Sequence, residues 1–78
     1  MNAINLNQAH LGEVYQIARC DESNKADIYR LFELGLTIGS SFIILRKCQA
    51  FGMIELALET SRLCIDLELA ALFLVTRK

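Results

Sequence analysis

The chain contains no proline, a single histidine, no CxxC pair and little net charge. Each shortage narrows the field. Without proline, and with no low-complexity tract or long charge run, nothing marks a linker, so one domain spanning residues 1–78 is expected. A net charge of −1 argues against nucleic-acid binding, because neutralising phosphates requires a basic face. Cys20, Cys48 and Cys64 match no common zinc spacing. They read as buried or half-buried reduced thiols; two of them meeting His10 at a metal is the alternative, and no metal ligands are assigned. The longest apolar run, Leu69 to Val75, is far short of the roughly 20 residues that span a bilayer. The asparagine-rich start, Met1 to Gln8, has neither the basic nor the apolar region of a leader. A soluble, cytoplasmic protein without direct membrane insertion is therefore expected.

What is present is a dense alternation of short apolar segments. Leu6 to Leu11 reads as a turn or helical cap. Glu13 to Cys20 carries Val14, Tyr15 and Ile17, the β-branched and aromatic content of a strand. Asp21 to Asn24 is a polar break with helix caps in Ser23 and Asn24. Ile28, Leu31 and Phe32 then follow the i, i+3, i+4 stripe of a short helix, with Asp27 in its first turn, ending at Gly35. Ser40 to Cys48 reads as a strand buried on both faces over Phe42 to Leu45. After a turn at Gln49 to Gly52, Ile54, Leu56 and Leu58 alternate with Glu55, Ala57 and Glu59, the pattern of a half-buried strand. Thr60-Ser61 suits a hairpin tip, Arg62 to Ile65 the returning strand, Asp66 to Ala71 one capped helical turn, and Leu72 to Thr76 a last strand. The expected fold is mainly β: a five-stranded barrel with one capping α-helix and a short helical turn before the last strand. Ile17, Ile28, Leu31, Phe32, Leu34, Phe42, Ile44, Ile54, Leu56 and Val75 should form its core.

The most informative stretch is Arg30-Leu31, Leu34-Gly35-Leu36 and Gly39, followed by the apolar strand Phe42-Ile43-Ile44-Leu45. Gly35 stands where a helix ends in the left-handed conformation, and Gly39 lets the chain turn again. With Leu6, Gly12, Glu13, Ile17, Ile54, Ile65, Ala70 and Val75 at matching intervals, this pattern resembles the FeoA family, ferrous iron transport protein A. Leu11, Ile38 and Met53 stand where many members have proline, Thr60 where glycine is frequent, and Asp66 where a basic residue is common. The resemblance implies an SH3-like barrel acting on FeoB, a membrane transporter of ferrous iron with a G-protein domain. It also carries a family-level association with transition-metal ion binding. The alternative it implies is the SH3-like interaction module of a metal-responsive transcriptional regulator. Met1 and the lack of a helix-turn-helix segment favour a standalone protein.

Enzymatic chemistry finds no convergent set of groups. His10 has no second ligand near it in the sequence. Ser40 and Ser41 lack a nucleophile-elbow context, and Gly35 and Gly39 lack both the Walker lysine and dinucleotide spacing. Glu55 and Glu59 read as a solvated strand face, and the pairs Arg46-Lys47 and Arg77-Lys78 as strand-end charges. No catalytic or cofactor-binding residue is assigned. The expected partner surface is Glu33, Leu36, Thr37 and Ile38, because a connection between two glycines belongs at the surface. For Leu36 the alternative is a lid folded back on the core, as helix ends often supply. Oligomeric state is left open by the sequence.

Overall fold

The computed structural model describes residues 2–21 and 25–78. The helix caps expected at Ser23 and Asn24 lie outside the described residues. Among those described, six strands form one antiparallel sheet: β1 (Ile4–Asn5), β2 (Val14–Cys20), β3 (Ser41–Cys48), β4 (Met53–Ala57), β5 (Arg62–Asp66) and β6 (Phe73–Arg77). Helix α1 (Lys25–Glu33) lies between β2 and β3, and a single turn, α2 (Leu67–Ala70), between β5 and β6. The sheet order is β1-β6-β2-β3-β4-β5.

The mainly β architecture follows the expected order of elements, with one addition. Ile4 and Asn5 pair with Val75 and Leu74, giving a short sixth strand that the asparagine-rich N-terminus concealed. Leu6–Gln8 then makes a 3-10 turn capped by Asn5, whose side chain accepts the Asn7 N–H at 2.9 Å.

Alternation fills the interior. Tyr15 and Ile17, Phe42 and Ile44, Ile54 and Leu56, Ile65, and Phe73 and Val75 all point inward and are buried. Tyr15 and Phe42 stack with ring centroids 6.1 Å apart. Bulges at Ala18 and Leu45 shift the register and bend the sheet around this core. The β3 run is not buried on both faces. Ile43 is half-buried and Leu45 is 40% exposed, because β3 follows the same two-residue period as its neighbours.

Helix α1 buries Ile28 and Leu31, and Phe32 is only half-buried. Leu34 is not a core residue: it is 49% exposed, having left the helical stripe in the turn that ends α1. That turn is a Schellman motif. Gly35 N–H donates to the Phe32 carbonyl and Leu36 N–H to the Leu31 carbonyl, each at 3.0 Å, while Gly35 adopts φ of +105°. The motif turns Leu36 into the core cluster that also holds Leu31, and Leu36 is fully buried.

The gap between the outer strands β1 and β5 is bridged by α2 and the 3-10 turn. Asp66 caps α2 by accepting the Leu69 N–H at 2.6 Å. Asn5 Nδ2 donates to the Ala71 carbonyl at 2.7 Å, and Asn7 Nδ2 to the Leu67 carbonyl at 3.0 Å. Lys47, on the inward face opposite Ile54, donates from Nζ to the Asn7 carbonyl at 2.9 Å.

Candidate functional site: an apolar groove beside the Ile38 turn

Directly opposite residues in an antiparallel ladder share a face. Val14 pairs with Ile43, and Ile43 with Ala57. Since their sequence neighbours Tyr15, Phe42 and Leu56 face inward, these three form an apolar row on the outer surface of the sheet. The row floors an open groove of about 550 Å³, bordered by Gly35, Gly39, Leu58, Glu59 and Lys78 among others.

One wall is the connection from α1 to β3. Ser40 N–H donates to the Thr37 carbonyl at 3.0 Å, closing a turn with Ile38 and Gly39 at its centre. Gly39 takes φ of +86°, which glycine enters without strain. The Ser40 hydroxyl accepts the Thr37 N–H at 3.0 Å and donates to the Thr37 carbonyl at 2.7 Å. Gly39 N–H donates to the Ile17 carbonyl at 2.8 Å, tying the turn to β2. Ile38 is thus held at the tip of a stitched turn, 54% exposed.

Part of the polar rim is engaged in structural bonds. Lys78 Nζ donates to Ser41 Oγ at 2.9 Å. Below it, Arg77 pairs with Glu13, whose carboxylate also accepts the Tyr15 hydroxyl. The Tyr15 oxygen accepts the His10 N–H at 2.9 Å. The Tyr15 hydroxyl and the Glu13 charge hold the Arg77 pKa above its ordinary value. Arginine is fully charged at physiological pH, so the guanidinium side of this contact does not titrate.

The expected surface residues divide. Glu33 and Ile38 are exposed, and Thr37 is half-buried with its backbone engaged in the turn. Leu36 is corrected: it is a core residue, because the Schellman bonds aim its side chain inward. Val14, Ile43 and Ala57 escaped the sequence reading. Their signal was apolar side chains at outward positions, and it was hidden when Ile43 was absorbed into a strand buried on both faces.

Other sequence candidates are not brought together. Glu55 pairs with Arg46 at 3.4 Å, whereas Glu59 lies past the end of β4. Among the described residues, no group of three or more histidine, cysteine, aspartate or glutamate side chains is placed to hold a metal ion. No described helix is long and apolar enough to cross a membrane. The groove has an apolar floor, with Lys78 and Ser41 bonded to each other and the exposed Glu59 at its rim.

Comparison with known proteins places this geometry. The barrel superposes on a manganese-dependent transcriptional repressor in complex with manganese with a TM-score of 0.91, at 18% identity, covering 100% of this chain and 38% of that one. A second structure of a manganese-dependent transcriptional repressor gives 0.89 at 18% identity, covering 97% and 42%. The chain therefore spans about two fifths of these repressors. An iron uptake regulatory protein, FeoA, matches over 100% of both chains with a TM-score of 0.82 and 19% identity. An FeoA-like protein from Clostridium acetobutylicum gives 0.83 at 19% identity, covering 99% and 88%. Similarity at this level of identity establishes the SH3-like fold alone. A comparison with curated protein sequences finds no match. The model of the FeoA domain, however, matches residues 4–77, nearly the whole length, and the chain belongs to the FeoA domain family.

Proposed function

We propose that this chain is a single-domain, non-catalytic accessory protein of ferrous iron uptake. It acts in the cytoplasm by docking on the cytoplasmic part of an FeoB-type transporter. Family membership supports the iron-uptake role. The observation that carries the docking mode is the apolar row Val14, Ile43 and Ala57 beside the stitched Ile38 turn. An exposed apolar floor next to a preorganised apolar tip is the form an interface anchor takes, since little ordering entropy remains to be lost on binding. Glu33 and Thr37 flank the tip and complete the contact. Leu36 contributes by fixing the turn from inside.

A pull-down against the transporter's soluble domain tests this reading. Wild type should bind, and Ile38→Asp, folded by circular dichroism, should lose most of that binding. Undiminished binding removes the turn from the interface, and no wild-type binding at high micromolar concentration counts against the docking role. Anaerobic titration with ferrous iron should give no stoichiometric site tighter than micromolar; a tight site lost on mutating His10 or a cysteine would establish a metal carrier instead.

A second reading draws on the repressor structures: an SH3-like interaction module of a metal-responsive regulator. In that case the groove would accept a segment of the regulator, and the transporter domain would not bind.

A further inference from the structure

Among the described residues, β5 ends the sheet and pairs with β4 alone. Two bonds fix the phase of that ladder: Leu58 N–H to the Ser61 carbonyl and Leu67 N–H to the Gly52 carbonyl, each at 2.8 Å. Pairing then alternates between bonded and non-bonded positions. Leu63 and Ile65 bond to β4, so the backbone N–H and carbonyl groups of Arg62 and Cys64, and the Asp66 N–H, turn toward the open edge. The β4–β5 register runs without a shift, so this edge lacks the bulge that protects many others, and it carries no proline.

The sequence of the edge is self-complementary. It reads Arg62-Leu63-Cys64-Ile65-Asp66, with Arg62, Cys64 and Asp66 exposed on one face. A second copy laid antiparallel about a two-fold axis at Cys64 sets each Arg62 against the other chain's Asp66. Leu63 then meets Ile65, and the two Cys64 residues face each other. The two-fold registers centred on Leu63 or Ile65 set Arg62 or Asp66 against the other chain's Cys64, and those centred on Arg62 or Asp66 bring like charges together, so only the Cys64-centred register pairs both charges with opposite ones. Both charges are available. Arg62 forms no ion pair with another described residue, and Asp66 uses Oδ1 to cap Leu69. Leu34, half-exposed without a role in the core, lines a groove beside this edge with Asp27 and Arg30 of α1 and with Leu63, Cys64 and Leu69.

We propose that β5 is a homodimer interface, in which two copies of this chain join their sheets edge to edge through the Arg62–Asp66 pairs. This surface is separate from the docking groove and does not rest on the transporter reading. The interface is isologous, as closed two-fold dimers require, and backbone bonding supplies its affinity, as in strand addition.

Sedimentation of the reduced full chain over rising concentration tests the proposal. Wild type should show a monomer–dimer equilibrium. Arg62→Asp should raise the dissociation constant about tenfold or more, since it turns both attractive pairs repulsive. Asp66→Arg should do the same. Mixing the two variants should restore the dimer, because an edge with two acidic ends then faces an edge with two basic ends. A short bis-maleimide should join Cys64 to Cys64 in wild type and fail to do so in Cys64→Ser. If Asp66→Arg does not fold for loss of its cap, Arg62→Asp and the mapped crosslink decide the matter. A wild type that stays monomeric, a dimer indifferent to Arg62→Asp, or crosslinks that map away from Cys64 would each overturn the proposal. Monomeric behaviour would leave the edge as a site for an extended segment of some other protein.

Discussion

The two ends of the β3–β4 ladder are built on opposite terms. Where β3 finishes, at Lys47 and Cys48, polar groups from four segments close on one another. Asp66 caps α2, Asn5 and Asn7 reach the backbone of residues 67 and 71, and Lys47 reaches the Asn7 carbonyl. Where β3 begins, at Ser41 to Ile43, backbone bonds fix the connection from α1, yet apolar side chains are left uncovered around it. One end spends its polar groups on holding the chain together. The other is also tied by backbone bonds but keeps apolar surface exposed, the kind of surface on which interfaces form.

The sharpest test of this contrast lies within a single connection. Leu36→Ala should cost about 3 kcal/mol, the usual scale for truncating a fully buried leucine. Urea melts would show it as a large fall in midpoint. A loss below about 1 kcal/mol would mean that the core closes without Leu36, and the distinction between a buried and an offered side chain would fail.

Gly35→Ala and Asp66→Ala probe the two ends by their caps, each at about 1 kcal/mol. At Gly35 the expected cost is conformational. A Cβ there would lie 3.5 Å from Leu58 Cδ1, an ordinary contact, so only the φ of +105° resists it. At Asp66 the cost is the bond to Leu69. Thermal melts of the two variants compare the ends directly; an unchanged Gly35→Ala midpoint would show that the Schellman turn does not depend on glycine.

Smaller again is Arg46→Ala, about 0.5 kcal/mol or less, because the arginine's side of its pair with Glu55 is mostly exposed. Its effect should vanish at high salt. A salt-independent loss would point to packing by the arginine stem rather than to charge.

Ile38→Asp should move stability least, within about 0.5 kcal/mol, while removing partner binding. A large drop in its melting midpoint would show that Ile38 belongs to the core, and would erase the difference between the two ends.

Much of this was legible along the chain. Ile54 and Leu56 alternate with polar neighbours and do face inward; Ile28 and Leu31 follow a helical stripe and are buried; Asp66 caps the helical turn assigned to it. Less legible was anything decided by neighbours distant in sequence. β1 is two residues long and exists by pairing with β6, so no local pattern announced it. Leu34 and Leu36 are the same residue type two positions apart, and their fates are opposite. The bonds at Gly35 rotate one inward and leave the other in solvent, a distinction hydrophobicity cannot carry.

By itself, then, the sequence determined the order of elements after β1, the inward residues of β4, the buried stripe of α1, and the glycine positions that end α1 and turn the chain into β3. These follow from backbone sterics and side-chain periodicity, which act over a few residues. Only the tertiary structure decided which apolar residues were left over. Val14, Ile43 and Ala57 come from three strands and make one surface because the register aligns them. β5 presents its edge because it is last in the sheet. Both depend on which strands lie side by side, a choice made by burying one shared core rather than by any local run of residues.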